Sequence, residues 1–139
     1  MLPWEDRFDV KVYYEDTDSL GIVYYANYLK YFERARSEMF TYTGRSMLEW
    51  NQDGYNIAVA KANINFQAPG KLGDKCTVVT KRQQSVSPYR VKLKQELYRG
   101  DELLVDAMIH LVCLDHDLAL REFPEDWLDD LMGEPPEDN

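Results

Sequence analysis

Apolar and polar residues alternate over Phe8–Tyr14 (F-D-V-K-V-Y-Y), which predicts a first strand with one face turned to a core. Residues 15–24 carry no period and predict a loop. Tyr28, Phe32, Ala35, Met39 and Tyr42 then recur at helical spacing, flanked by Leu29, Arg36 and Phe40. That stripe predicts a helix over about 26–43, with Asn27 or Asp18 capping its start and Gly44 closing its end at C′. Four further runs predict strands. Tyr55–Phe66 ends before Pro69-Gly70, and Lys75–Gln84 is followed by a turn near Ser87-Pro88. Tyr89–Tyr98 is joined to Glu102–Leu114 by the hairpin signal Arg99-Gly100-Asp101. Pro124 is expected to open a short last helix whose apolar face is Trp127, Leu128 and Leu131.

A strand, a long helix and about four antiparallel strands make an α+β protein. A helix this apolar must be covered, and a curled antiparallel sheet of about five strands wrapped around it does so. In Tyr89–Tyr98, alternation turns Val91, Leu93 and Leu97 toward the helix and collects Arg90, Lys92 and Lys94 on the other face. No repeat and no long linker interrupts residues 1–133, which are expected to form a single domain. Residues 134–139, with two prolines, are expected to be a disordered acidic tail.

Composition changes this picture at three points. The net charge of −9 comes mostly from residues 122–139, which hold eight acids and no Lys or Arg; the first 121 residues sum to −1. Within that near-neutral body, residues 75–95 carry Lys75, Lys81, Arg82, Arg90, Lys92 and Lys94 and no acid. Such a strip suits a small phosphate-bearing ligand or an acidic protein surface and is too sparse for a nucleic-acid groove. The two cysteines, Cys76 and Cys113, fall in strand-like apolar runs and read as reduced core thiols of a cytoplasmic protein. No apolar leader follows Met1 and no run reaches a membrane span, so neither secretion nor membrane insertion is expected.

The chemistry concentrates in residues 16–36, D-T-D-S-L-G-I-V-Y-Y-A-N-Y-L-K-Y-F-E-R-A-R. Two carboxylates, Asp16 and Asp18, sit in a Gly-containing loop that feeds the long helix. Asp in such a loop ordinarily shapes turns. Beside a helix N-terminus, however, a carboxylate also supplies a base or nucleophile next to free amides that hold a developing oxyanion, which is what acyl transfer requires. A calcium loop beginning at Asp16 fails, because Leu20 and Asn27 would occupy positions that need an oxygen ligand and a Glu. A magnesium site from Glu15, Asp16 and Asp18 would lack a phosphate-binding Gly loop. There is no G-x-S-x-G elbow, no G-x-G-x-x-G and no Walker loop. Of the two histidines, His110 reads as a packed, hydrogen-bonded strand residue and His116 as part of a D-H-D turn.

The run as a whole resembles the signature of the hotdog-fold acyl-CoA thioesterases, in the 4-hydroxybenzoyl-CoA thioesterase and YbgC-like group. V-Y-Y-E-D-T-D before it and A-P-G-K-L-G-D at 68–74 are similar to that group as well. The resemblance spans roughly residues 7–125 and implies a long helix gripped by an antiparallel sheet. It makes Asp18 the catalytic carboxylate and gives Asp16 a structural role. It places the backbone N–H of Tyr25 on the thioester carbonyl, and it puts Gly21, Val23, Tyr24, Tyr28 and Glu33 around the substrate, with Glu33 equally readable as an ion-pair residue. The chain departs from the YbgC-like pattern at Tyr24-Tyr25, where those members usually carry a His after the first Tyr.

On this resemblance the chain is expected to hydrolyse an acyl thioester without metal or cofactor. Asp18 either attacks the carbonyl or deprotonates a water. Attack is preferred, because a helix N-terminus lowers the basicity of a carboxylate while leaving it nucleophilic. The donor is acyl-CoA or an acyl carrier protein, whose phosphates Arg90, Lys92 and Lys94 would meet. A non-catalytic binding or scaffolding module is the rival reading. Protomers are expected to pair as a dimer or tetramer, with Tyr55–Phe66 as the exposed sheet edge.

Overall fold

The seven residues Glu5–Lys11 form the first strand, β1, of the computed structural model, which describes residues 2–135. Glu5, Arg7, Asp9 and Lys11 face solvent, while Asp6, Phe8 and Val10 are partly covered. The strand therefore begins and ends three residues earlier than the alternation predicts. Its expected end at Tyr14 instead enters a 3-10 turn, Tyr14–Asp16, because the Asp16 carboxylate accepts the Tyr13 N–H at 2.9 Å and curls the chain back.

The long helix, α1, spans Tyr28–Phe40, and 3-10 turns at Tyr25–Asn27 and Thr41–Thr43 extend it to the expected length. Gly44 closes it with φ of +93°. The covered stripe is Tyr28, Tyr31, Phe32, Ala35, Met39 and Phe40. Leu29 and Tyr42, expected on or beside it, are exposed, and Tyr31, unremarked in the sequence pattern, is buried.

Helix α2 (Met47–Gln52) lies between the predicted helix and the next predicted strand, and Ser46 and Glu49 form a reciprocal capping box at its start. The remaining strands are β2 (Asn56–Phe66), β3 (Lys75–Arg82), β4 (Arg90–Arg99), β5 (Glu102–Leu114) and the two-residue β6 (Leu120–Arg121), followed by helix α3 (Glu125–Leu131). They pair antiparallel in the order β1-β3-β4-β5-β2, with β6 beside the end of β5. Strand β2 is thus an edge, as expected, and most of its residues are exposed.

The sheet curls around α1, the hotdog arrangement that the resemblance implies. Val91, Leu93 and Leu97 of β4 face the helix, and Gln95 joins them although it is polar. Its amide nitrogen donates to Phe32 O and Thr80 Oγ1, each at 3.0 Å, and its oxygen accepts from Arg36 at 2.9 Å. A buried amide satisfied on both sides fixes one register between helix and sheet. At the far end of the core, Trp127 of α3 packs among Phe40, Trp50 and Phe123.

Arg82, expected to belong to a basic strip, points inward. It donates to Pro3 O at 2.9 Å and Leu2 O at 2.8 Å, reaches Asp130 O, and covers the Trp4 ring at 4.0 Å. It pins the N-terminal segment and α3 to the sheet. Cys76 and Cys113 are buried free thiols, both pushed up in pKa chiefly by burial. No helix among the described residues is long and apolar enough to cross a membrane. Residues 136–139 of the expected acidic tail lie outside the described residues.

Candidate active site

The loop before α1 is a tight hairpin. Thr17 and Val23 bridge, the Asp18 N–H donates to Ile22 O at 2.9 Å, and the Gly21 N–H donates to Asp18 O at 3.1 Å. Gly21 has φ of +75°, a left-handed conformation that favours glycine. It shapes the turn and does not touch the cleft described below. The Asp18 carboxylate is half-buried, and Oδ1 accepts the Leu20 N–H at 2.8 Å. Its second oxygen has no hydrogen-bond partner among the described residues. Neither expected cap serves α1, because Asp18 is occupied by its own turn and the Asn27 amide donates to Asp16 O at 3.0 Å.

Asp16 holds this loop together. Its side chain is buried, and its carbonyl also accepts the Tyr24 N–H at 2.9 Å. The Tyr31 phenol lies buried beside it, pushed up in pKa first by burial and then by the Asp16 carboxylate.

At the start of the helical rod the N–H groups of Tyr25 and Ala26 have no hydrogen-bond partner among the described residues. Such amides carry the positive end of the helix and are open to an anionic oxygen. The Tyr24 and Tyr25 side chains are exposed, with ring centroids 5.0 Å apart. Next to them opens an apolar cleft of about 270 Å³, lined chiefly by Ile22, Val23, Tyr25, Tyr28, Phe66 and Pro69. Phe66 stands 5.8 Å from Tyr28 and 6.3 Å edge-on to Tyr25. Asp18 does not line the cleft but lies across the hairpin from Ile22, which does.

The far wall, residues 66–70, comes from a segment distant in sequence. Phe66 is a cleft residue that the sequence reading missed. The available signal was an aromatic at a strand end, two residues before the A-P-G-K-L-G-D stretch that is similar to the family. The wall is held in place by Tyr28, whose hydroxyl accepts the Gly70 N–H at 3.0 Å, while Gly70 O accepts the Val23 N–H at 2.8 Å. A Cβ on Gly70 would come within 3.1 Å of Val23 Cγ2, so a larger residue there would push the Val23 side chain by a few tenths of an ångström. Burial, more than any other influence, raises the Tyr28 pKa, and the nearby Asp18 carboxylate adds to it.

Tyr28→Phe leaves the Gly70 N–H buried without its partner. It is expected to cost about 1–2 kcal/mol of stability and to lower turnover several-fold. Thermal melts and steady-state kinetics read the two effects separately.

The same wall continues into a turn closed by Asp74, which accepts the Lys71 N–H at 2.8 Å and Arg99 Nη1 at 2.6 Å. Burial works to raise the Asp74 pKa but is outweighed by these two donors, so the net shift is downward. A carboxylate depressed in the folded state contributes stability that is fully present above its unfolded pKa and is lost as pH falls through the folded value. The stability advantage of the wild type over Asp74→Asn should therefore be full at neutral pH and shrink as pH falls below the ordinary Asp range. Melting both proteins across that window tests the sign.

The other expected residues separate from this site. Glu33 is exposed on the outer side of α1, beside Phe8, Lys30 and Arg34, and does not reach the cleft. It has no ion pair within 4.0 Å among the described residues, although its charge acts on Arg36. Its place one helical turn beyond Tyr28–Leu29 points it away from the sheet. Tyr24 does not line the cleft either. Arg90, Lys92 and Lys94 lie on the outer face of the sheet, as alternation predicts, with the whole sheet between them and α1. His110 lies on that outer face too, only partly covered, with no side-chain hydrogen bond among the described residues; it is not the packed strand residue expected. Among the described residues no group of three or more His, Cys, Asp or Glu is placed to hold a metal ion.

Residues 12–131 match the family model described as the thioesterase-like superfamily. The chain is 32% identical over 109 residues to the acyl-CoA thioester hydrolase YbgC of Escherichia coli O6:H1, covering 78% of this chain and 81% of that protein. It is 36% identical over 111 residues to the acyl-CoA thioesterase YbgC of Haemophilus influenzae, covering 78% of this chain and 79% of the relative. Among solved structures, a probable thioesterase from Bartonella henselae superposes with a TM-score of 0.80 at 28% identity, over 86% of this chain and 99% of that one.

Proposed function

The chain belongs to the thioesterase-like superfamily, as a hotdog-fold thioester hydrolase of the YbgC-like group, and from that premise we propose that it cleaves acyl-CoA at the mouth of the Tyr25–Tyr28–Phe66 cleft with Asp18 as its nucleophile. The observation that carries this reading is that one short segment holds a turn-fixed carboxylate with one uncommitted oxygen and, seven residues on, the N–H of Tyr25 at the helix start, which has no partner among the described residues.

The Asp18 oxygen adds to the thioester carbonyl carbon. The charge that develops on the carbonyl oxygen meets the Tyr25 amide, a donor of a kind that contributes about 3 kcal/mol to barrier lowering. The C–S bond breaks, the CoA thiolate leaves and takes up a proton, and the acyl group remains on Asp18 as a mixed anhydride. Water opens that anhydride to the free acid and restores the carboxylate. The thiolate is a good leaving group, which fits a site whose hairpin and helix start supply no histidine. The cleft volume of about 270 Å³ and its aromatic lining suit a short or single-ring acyl group.

The exposed edge β2 supports pairing of two copies, since eleven residues of unpaired strand otherwise template aggregation. A thiol-release assay over short-chain, long-chain and aryl acyl-CoA substrates tests the proposal. Release of free thiol, fastest with the compact acyl groups, is the expected result. Binding of acyl-CoA without thiol release from any member of the panel overturns it.

A further inference from the structure

The outer face of the sheet carries a second cleft, of about 510 Å³, walled by Ser85, Val86, Arg90, Lys92 and His110. Strand register explains why it is cationic. Lys92 lies directly opposite His110 across β4 and β5, and His110 lies directly opposite Lys61 across β5 and β2. Three basic side chains thus stand abreast on one face, with Arg90 two residues from Lys92 on the same side. Like charges placed opposite one another in a sheet are destabilising.

Nothing nearby relieves them. Among the described residues Lys61, Arg90 and Lys92 have no carboxylate within 4.0 Å, whereas Lys81, Arg45 and Arg99 are all ion-paired. The His110 imidazole registers the same field, its pKa lowered by burial and then by Lys92, Lys61 and Arg90. Ser85 adds an independent observation. It is 8% exposed, and its Oγ is buried without a hydrogen-bond partner among the described residues. Its backbone N–H donates to Leu131 O at 2.9 Å, which roots the cleft wall on α3. A buried hydroxyl left unpaired beside uncompensated cations is costly unless a further group completes it.

We propose that this cleft binds a phosphoryl anion, held by Arg90, Lys92 and the Ser85 hydroxyl, with Lys61 adding its charge from the neighbouring strand beyond His110. Two cations and a hydroxyl lining one cleft, with a third cation on the next strand, match the charge and the many oxygens of a phosphate better than a single carboxylate. The set differs from the strip read in the sequence. Lys94 falls outside it, opposite Lys81 and Met108, while Lys61, Ser85 and His110 join it.

The site borders the same edge strand as the thioester cleft. Phe66 faces the helix side of β2 and Lys61 the outer side, five residues apart, or about 17 Å along the strand. A donor with a thioester at one end of a long arm and phosphates at the other would reach both. That source of the anion rests on the proposed acyl-CoA chemistry; the existence of the site does not.

The test uses adenosine 3′,5′-bisphosphate and inorganic phosphate as probes, with the His110 ring signals followed by NMR in the wild type and in the Arg90→Ala/Lys92→Ala variant. In parallel, hydrolysis of one acyl group is compared on CoA and on N-acetylcysteamine, which has no phosphate. The expected result is a saturable His110 shift in the wild type that the variant lacks, with selectivity for the CoA thioester over the truncated one falling at least tenfold. A His110 response to either anion with unchanged selectivity supports the site but assigns it to free phosphate or nucleotide. No response to either anion overturns the proposal. If neither thioester is hydrolysed, the acyl-CoA reading fails while the His110 signals still decide the anion site.

Discussion

Asp18→Asn is expected to lower kcat about a thousandfold, within the range that a catalytic proton-transfer or nucleophilic carboxylate commands, while leaving the melting temperature nearly unchanged. The separation of the two effects follows from how the side chain is held. Oδ1 accepts the Leu20 N–H at 2.8 Å, and an Asn oxygen accepts the same bond. The hairpin, with its Asp18–Ile22 and Gly21–Asp18 bonds, is therefore preserved. What the substitution removes is the negative, uncommitted second oxygen.

A binding or scaffolding module would show no such loss. Asp18→Asn with full turnover would remove Asp18 from the chemistry altogether. A single turnover of the wild type in oxygen-18 water tests for the covalent route. Label entering the Asp18 side chain requires the anhydride, whereas label confined to the free acid places water attack at the acyl carbonyl, whether of the anhydride or of the thioester itself with Asp18 as base.

The parts of this site that could be read in the sequence are those close together along it. D-T-D-S-L-G followed by a helical stripe puts a carboxylate a few residues ahead of free amides whatever the rest of the chain does. The alternation of β4 likewise assigned Leu93 inward and Lys92 outward without any knowledge of their neighbours. The parts that escaped depend on contacts between distant segments. Phe66 becomes a cleft wall only because Tyr28 bonds Gly70 and draws the end of β2 against the helix start.

Arg82 looked like one more cation in a basic strip. Three backbone carbonyls from the N-terminal segment and α3 claim it, and no periodicity announces that. Gln95 is polar at a core position, and its burial makes sense only once Phe32, Thr80 and Arg36 surround it. His110 was judged from its own strand, where apolar neighbours suggest packing. Its surroundings are set by β2 and β4, which present Lys61 and Lys92. Local pattern therefore located the candidate reaction centre, while cross-strand register decided where the charge accumulates.

Register and local pattern meet again at α3, where a stability loss can be pulled apart from a catalytic one. Trp127 is fully buried. Its ring lies 4.6 Å from Phe40 and nearly parallel to it, and 5.6 Å from Trp50 at close to a right angle. Trp127→Ala removes the centre of this cluster. It is expected to cost about 3–5 kcal/mol, the range for a large aromatic truncated in a packed core. For a domain of this size that corresponds to a fall of about 10 °C or more in melting temperature.

Trp127→Phe should cost much less. The indole N–H is buried with no partner among the described residues, so replacing it removes an unsatisfied donor and offsets part of the lost packing. None of these rings lines the thioester cleft, so kcat of Trp127→Ala, measured well below its melt, should stay within a few-fold of wild type. Equal losses for Ala and Phe would show that the indole N–H is paired in solution. A collapse of kcat at a temperature where the variant is still folded would show that α3 transmits to the helix start through Phe40, twelve residues along α1 from Tyr28.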